Sequence, residues 1–147
     1  AEENIIQSDA FSSKTSTIAD SDGTITIEIN GQSKDFDVTS STTLEDLQQD
    51  INDSDLDITA KILNTGTNEY RLILTSNKTG EDNQISITES DDLNTNLSNE
   101  DNVVQEAKDS KFLYNGVEIS RSTNSVDDLI VGVNLEFTQV TDNPITI

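Results

Sequence analysis

Two Asn-Gly dipeptides, Asn30-Gly31 and Asn115-Gly116, each stand between short runs in which apolar and polar residues alternate. Both central residues of a type I′ turn need positive φ, which Asn and Gly tolerate best, and the twist of that turn matches the strands it joins. The two dipeptides therefore pin two β-hairpins. Ahead of the first, "TITIEIN" places Ile25, Ile27 and Ile29 on one face and Thr24, Thr26 and Glu28 on the other, and Phe36 and Val38 continue the alternation beyond it. Around the second, Phe112 and Tyr114 precede the turn, and Val117 and Ile119 follow it.

After each hairpin the period changes. In "TSSTTLEDLQQDIN", Leu44, Leu47 and Ile51 recur at helical spacing, and Thr42 with Glu45 three residues on reads as a capping box. In "NSVDDLIVG" the pattern predicts a second short helix, capped by Asn124 or Ser125 and closed near Gly132, with Asp127 and Asp128 suiting the positive end of its dipole. Between these units lie strand patterns at "DITAKILN" and at "EYRLILTS", where Tyr70, Leu72 and Leu74 alternate. Residues 64–68 join the two. "NKTGEDN" then turns the chain into "QISIT" with Ile85 and Ile87, so the first unit reads β-β-α-β-β-β.

Elsewhere the signal is weaker. Residues 90–109 hold Leu93, Leu97, Val103 and Val104 as their large apolar residues and read as a weak helix or acidic connector. Late in the chain, Val133, Leu135 and Phe137 alternate, and Pro144 suits a strand start or a sheet edge before "ITI". The early "NIIQSDAFSSKTSTI" is strand-like without an adjacent partner, and the late unit is its expected pairing site. The expected fold is α+β and mainly β: two small β-rich modules of antiparallel hairpins, each with a short covering helix, one inserted in the other. Residues 1–19 plus 106–147 would form a discontinuous outer module, and 20–105 the inserted one.

A chain of 147 residues with 39 Ile, Leu, Val and Phe can bury a core, though a thin one. Its formal charge of −21 disfavours nucleic acid and anionic membrane surfaces, which are bound through clustered cations, and the same field should keep the chain monomeric at low salt. Cys, His, Met and Trp are absent, which removes disulfides, thiolate and imidazole metal sites, and nucleophiles paired with either group. No apolar run reaches membrane-spanning length, and "AEENIIQSDAF" lacks the basic start and apolar stretch of a cleaved signal peptide.

No residue is assigned a catalytic, cofactor-binding or metal-binding role, and no cofactor is expected. Asp20, Asp22 and Gly23 echo an acidic calcium loop, but with Gly23 at the sixth position the first and twelfth fall on Ile18 and Ile29. Asp53, Asp55 and Asp57 read as solvated acids at a helix end. "DINDS" matches an acidic-extended glycosylation sequon at Asn52, read as coincidental at a helix terminus. The 29 acids supply many carboxylate pairs without the aromatic setting of a glycosidase site. Arg121, one of eight cations, is expected to pair with an acid near the hairpin corner rather than to contact a neighbouring subunit.

The motifs resemble one family. "GTITIEINGQSKDFDVTSSTTLEDLQQDIN" followed by "ITAKILNTGTNEYRLILTSNKTGEDNQISI" is similar to the repeat of hook and hook-associated proteins. "AKDSKFLYNGVEISRSTNSVDDLIVGVNLEF" resembles more specifically the flagellar hook-associated protein 2 family, the filament cap proteins, and "NIIQSDAFSS" is similar to the segment before their insert. The resemblance implies a non-enzymatic extracellular head region at the flagellum tip, exported through the flagellar channel. The parent would assemble as a ring of several subunits that promotes flagellin folding and insertion. It implies long assembly helices elsewhere in the parent, since no heptad pattern occurs here. An adhesin-type domain recognising host or surface glycans is the alternative of a different class.

Overall fold

The computed structural model describes residues 1–130 and 133–136, with side chains through Ser125 and at Glu136. Strands β1 (Ile5–Gln7), β2 (Gly23–Ile29) and β3 (Gln32–Val38) precede helix α1 (Leu44–Asn52). Then come β4 (Ile58–Gly66), β5 (Glu69–Ser76), β6 (Ser86–Glu89) and β7 (Val103–Gln105). Four late strands follow: β8 (Ser110–Tyr114), β9 (Val117–Arg121), β10 (Ser125–Ile130) and β11 (Val133–Glu136). All described pairings are antiparallel: β4-β5-β1-β7 form one sheet, β3-β2-β6 a second, and β8-β9 and β10-β11 two hairpins.

Both Asn-Gly turns form as their sequence dictates. Asn30 and Gly31 take φ of 47° and 77°, Asn115 and Gly116 φ of 51° and 80°, and the flanking strands pair Ile29 with Gln32 and Tyr114 with Val117. In β2 the alternation is carried through to packing: Ile25, Ile27 and Ile29 are buried while Glu28 faces out. They meet Phe36 and Val38 from β3, Leu44, Leu47 and Ile51 from α1, and Leu72 and Leu74 from β5 in one core.

Helix α1 starts one residue later than the sequence pattern predicts. Thr43, not Thr42, is the cap: its Oγ1 accepts the Asp46 N–H at 3.1 Å, and the Asp46 carboxylate accepts the Thr43 N–H at 2.9 Å. Thr42 instead accepts the Thr39 N–H in the preceding turn. The other orphan amides of the first turn go to the N-terminal segment, Leu44 N–H to the Ser16 carbonyl and Glu45 N–H to that of Lys14. The helix position is thus set by a distant strand-like segment, which local periodicity does not encode.

That segment corrects a second expectation. β1 does not pair with the strands after residue 106; it lies inside the four-stranded sheet between β5 and β7, with Ile6 opposite Leu74 and Val103. Buried Asn4 fixes its entry: its N–H donates to Ser76 Oγ, its Nδ2 to the Gln105 carbonyl, and its Oδ1 accepts the Ile85 N–H. Ser8 does the same at the other end, exchanging hydrogen bonds with the Leu72 backbone. Ile6, Ile18 and Ala19 accordingly sit in the same core as β2 and α1. Contact with the late unit is confined to the start of the segment, where Glu2 bridges Lys108.

Residues 90–109 form no α-helix. Leu93 and Leu97 are buried as anchors, and the polar residues between them are stitched to fixed acids. Asp9 accepts from the side-chain amides of Asn96 and Asn102, and Glu89 accepts Thr95 Oγ1 and the Ser98 N–H. The joint expected at residues 64–68 is shorter, because the strands run on to Gly66 and resume at Glu69. The second helix is likewise replaced. Residues Ser125–Ile130 form β10, with Ser125 opposite Glu136 and Val126 opposite Leu135. The spacing of Val126, Leu129 and Ile130 mimics one helical turn, but so short a segment cannot nucleate a helix alone, and a partner strand lies a few residues on. Asp127 and Asp128 are therefore strand residues rather than helix starters. Gly132, Phe137 and Pro144 lie outside the described residues.

Candidate functional site

Two places on the molecule gather more than local structure: a joint between the early, middle and late parts of the chain, and the outer face of the β4-β5 hairpin. At the joint, Ser76 Oγ accepts the Asn4 N–H and donates to the Lys78 carbonyl, which turns the chain out of β5. Thr79 Oγ1 then donates to the Ser122 carbonyl at 2.6 Å, and Asp109 Oδ1 accepts the Glu81 N–H at 2.9 Å. Gly80 sits between them with φ of +103°, its N–H on the Glu2 carbonyl; a Cβ there would fall 2.7 Å from that of Ser122. Only glycine fits both the conformation and the space. The sequence "TSNKTG" is thus a clamp holding the β8-β9 hairpin against the body, and Lys108 adds an exposed ion pair to Glu2 at 3.9 Å.

The second place is a sheet face. The strand pleat sends Ile58, Ala60, Leu72 and Leu74 into the core, and Thr59, Lys61, Leu63, Ile73 and Thr75 to the other side, where no element covers them among the described residues. They line a groove of about 300 Å³ with Glu3 at its rim. Leu63 is 49% exposed, large for an apolar residue in a strand centre. Residues 58–80 hold three cations, Lys61, Arg71 and Lys78, against the single acid Glu69, a net charge of +2. The other 124 residues of this −21 chain therefore carry −23. Inspection for catalytic motifs misses this hairpin, and charge counted strand by strand finds it.

The acidic candidates are not brought together. Asp20 accepts from Asn94 Nδ2 and donates its own N–H to the Asp92 carbonyl, fixing a loop. Asp53 caps the C-terminus of α1 and is exposed, Asp55 is exposed, and Asp57 forms an ion pair with Lys78 at 3.2 Å. Among the described residues no three acids are grouped to hold a metal ion. Asn52 is engaged at both ends of its amide by the Ala60 backbone, which ties up the sequon nitrogen. Arg121 donates to the Ser120 carbonyl at 2.9 Å, within its own strand. No described helix is long and apolar enough to cross a membrane.

Comparison with known proteins covers both halves of the chain. Residues 107–147 match the family model described as flagellar hook-associated protein 2 C-terminus, and residues 24–78 match that of the flagellin hook IN motif. The flagellar hook-associated protein 2 of Salmonella typhimurium is 35% identical over 84% of this chain. The chain belongs to the flagellar hook-associated protein 2 family. The Campylobacter jejuni member is 30% identical over 89% of the chain. The chain spans 29% and 28% of the lengths of these two relatives. Crystal structures of the D2–D3 domains of the flagellar cap proteins from Escherichia coli and Serratia marcescens each cover 97% of the chain. Their TM-scores are 0.78 and 0.77, both at 26% identity, and the chain covers 80% and 83% of those structures. The hook-associated family's IN motif begins inside β2 and ends at Lys78, so the Thr79–Gly80 clamp lies just past its border.

Proposed function

We propose that this chain is the exposed head of a flagellar filament cap protein, a structural rather than catalytic element. It would lie outside the cell at the filament tip, reaching that place through the flagellar channel. The observation that carries this reading is the match of nearly the whole chain to the D2–D3 domains of a flagellar cap protein, 97% at a TM-score of 0.78. On this reading the parent assembles as a ring of several subunits, and the ring promotes folding and insertion of exported flagellin beneath it. The acid-rich surface supports a role in which heads stay soluble and apart while other parts of the parent hold the ring together.

The division of labour within the head is part of the proposal. A module of residues 1–19 with 106–147 is supported by the Glu2–Lys108 bridge; the burial of Ile6 and Ile18 beside β2 and α1 ties the same segment to residues 20–105. None of the relatives above is named for glycan recognition, and no described residue set favours an adhesin. The test is light scattering on the parent protein. A discrete ring of several subunits is the expected result, and a persistent monomer would sink the proposal. Deleting this segment from the parent should leave flagellin unpolymerised in the medium; normal filament growth would remove the head from the assembly step.

A further inference from the structure

We infer that the outer face of the β4-β5 hairpin is a contact surface for a second copy of this chain, joined head to tail rather than face to face. This inference rests on the cap reading, because it names a contact within the proposed ring. Three observations lead to it. The face is apolar at its centre, with Leu63 and Ile73 beside the groove of about 300 Å³. It is flanked by Lys61, and by Arg71 directly across from Leu63, within a hairpin of net charge +2. The rest of the chain carries −23, so almost any other surface of a second copy is electrostatically complementary to it.

The same arithmetic fixes the symmetry. Two copies meeting through this face would set Lys61 and Arg71 of each against those of the other, which like-charge repulsion opposes. A contact between this face and an acidic surface elsewhere on the neighbour is favoured, and such heterologous contacts generate rings when the rotation closes. Most of the hairpin edge beside the face is closed to simple strand addition at Ala60, whose backbone is taken by Asn52. The contact is therefore made by side chains on the face, not by extending the sheet at that point. At low salt the −21 field of each copy opposes approach; near physiological ionic strength, with a screening length of about 8 Å, contact-range attraction outlasts the long-range repulsion.

The test is concentration-dependent nuclear magnetic resonance of this chain at about 0.15 M salt, raised to about 1 mM protein to reveal a weak self-contact. Amide shifts should move in two separate patches, one holding Lys61, Leu63, Ile73 and Thr75 and the other acidic. A single patch would overturn the head-to-tail geometry, and no movement, or movement away from β4-β5, would overturn the contact. Leu63→Asp should weaken association at least tenfold with an unchanged unfolding midpoint, and Lys61→Glu should do the same if Leu63→Asp fails to fold. Lys14→Glu, at an exposed cation outside the hairpin, should change nothing. In the parent, a ring that survives Leu63→Asp defeats this inference and leaves the cap reading standing. A wild-type parent that stays monomeric defeats the cap reading itself.

Discussion

Asn52, the last residue of α1, offers its side-chain amide to Ala60 as a neighbouring strand would offer its backbone. Its Oδ1 accepts the Ala60 N–H at 2.7 Å and its Nδ2 donates to the Ala60 carbonyl at 2.8 Å. Gln48 adds a longer contact of 3.3 Å to the same carbonyl. β4 is the edge of the four-stranded sheet, and an edge with free backbone groups is a template for unwanted pairing. Covering it with one turn of helix both locates α1 on the sheet and blunts the edge.

Replacing Asn52 with Ala should therefore cost about 1–3 kcal/mol, since the Ala60 N–H and carbonyl lose their partners in a partly buried setting. Asn52→Asp keeps the acceptor for the N–H but sets a carboxylate against the carbonyl, so it should recover little of that loss. Urea midpoints of the three proteins measure this, with unchanged slopes showing that only stability moved. Equal midpoints for wild type and Asn52→Ala would show that water replaces the amide without loss.

The helix start gives a sharper comparison, because two adjacent threonines compete for the role. Thr43→Ala removes the oxygen that accepts the Asp46 N–H and should cost about 1 kcal/mol. Thr42→Ala removes only a turn contact to the Thr39 N–H and should cost less. Thermal unfolding of both variants decides it, and a larger loss for Thr42→Ala would restore the cap assignment read from the sequence pattern.

These cases show what the sequence makes legible. The hairpins at Asn30-Gly31 and Asn115-Gly116, the buried face of β2 and the apolar stripe of α1 are all local patterns, and each forms as predicted. What failed depended on partners far along the chain. Thr43 outcompetes Thr42 because Ser16 and Lys14 satisfy the amides beside it, and β1 enters the sheet interior because Asn4 and Ser8 are bonded to β5 and the loops beyond it. Residues 125–130 carry a helical spacing but pair as a strand. Of the candidate contact face, the strand alternation was legible, but its cationic character was hidden by the acidity of the whole.

Gly80 supplies a test of the joint. Ala at this position meets both a left-handed backbone and a contact of 2.7 Å to the Ser122 side chain, so the clamp must open or strain. The cost expected is about 1–3 kcal/mol, concentrated on the docking of β8-β9 rather than on the core. Hydrogen exchange should show Ser110–Tyr114 and Val117–Arg121 losing protection while β2 and α1 keep theirs. Asp109→Ala, which removes the acceptor of the Glu81 N–H, should reproduce the same pattern in milder form. Uniform loss of protection across both regions would mean that the late hairpin and the core unfold as one unit.

The N-terminal segment can be assigned by a truncation in its buried part. Ile18 is fully buried, its N–H bonds the Thr42 carbonyl, and its own carbonyl accepts the Asn94 N–H, so it joins the helix entry to the loop after β6. Ile18→Ala removes a branched side chain from a packed site and should cost about 2–5 kcal/mol, the upper part applying if the cavity does not collapse. Because Ile18 packs with β2, β3 and α1 rather than with Phe112, the lost protection should spread through those three elements and spare β8 and β9. The opposite distribution, with β8 and β9 exchanging first and β2 unchanged, would place residues 1–19 with the late module and make the middle of the chain an independently stable insert. Residue-resolved exchange at fixed pH separates the two outcomes, since the local opening free energy of each element is read from its own amides.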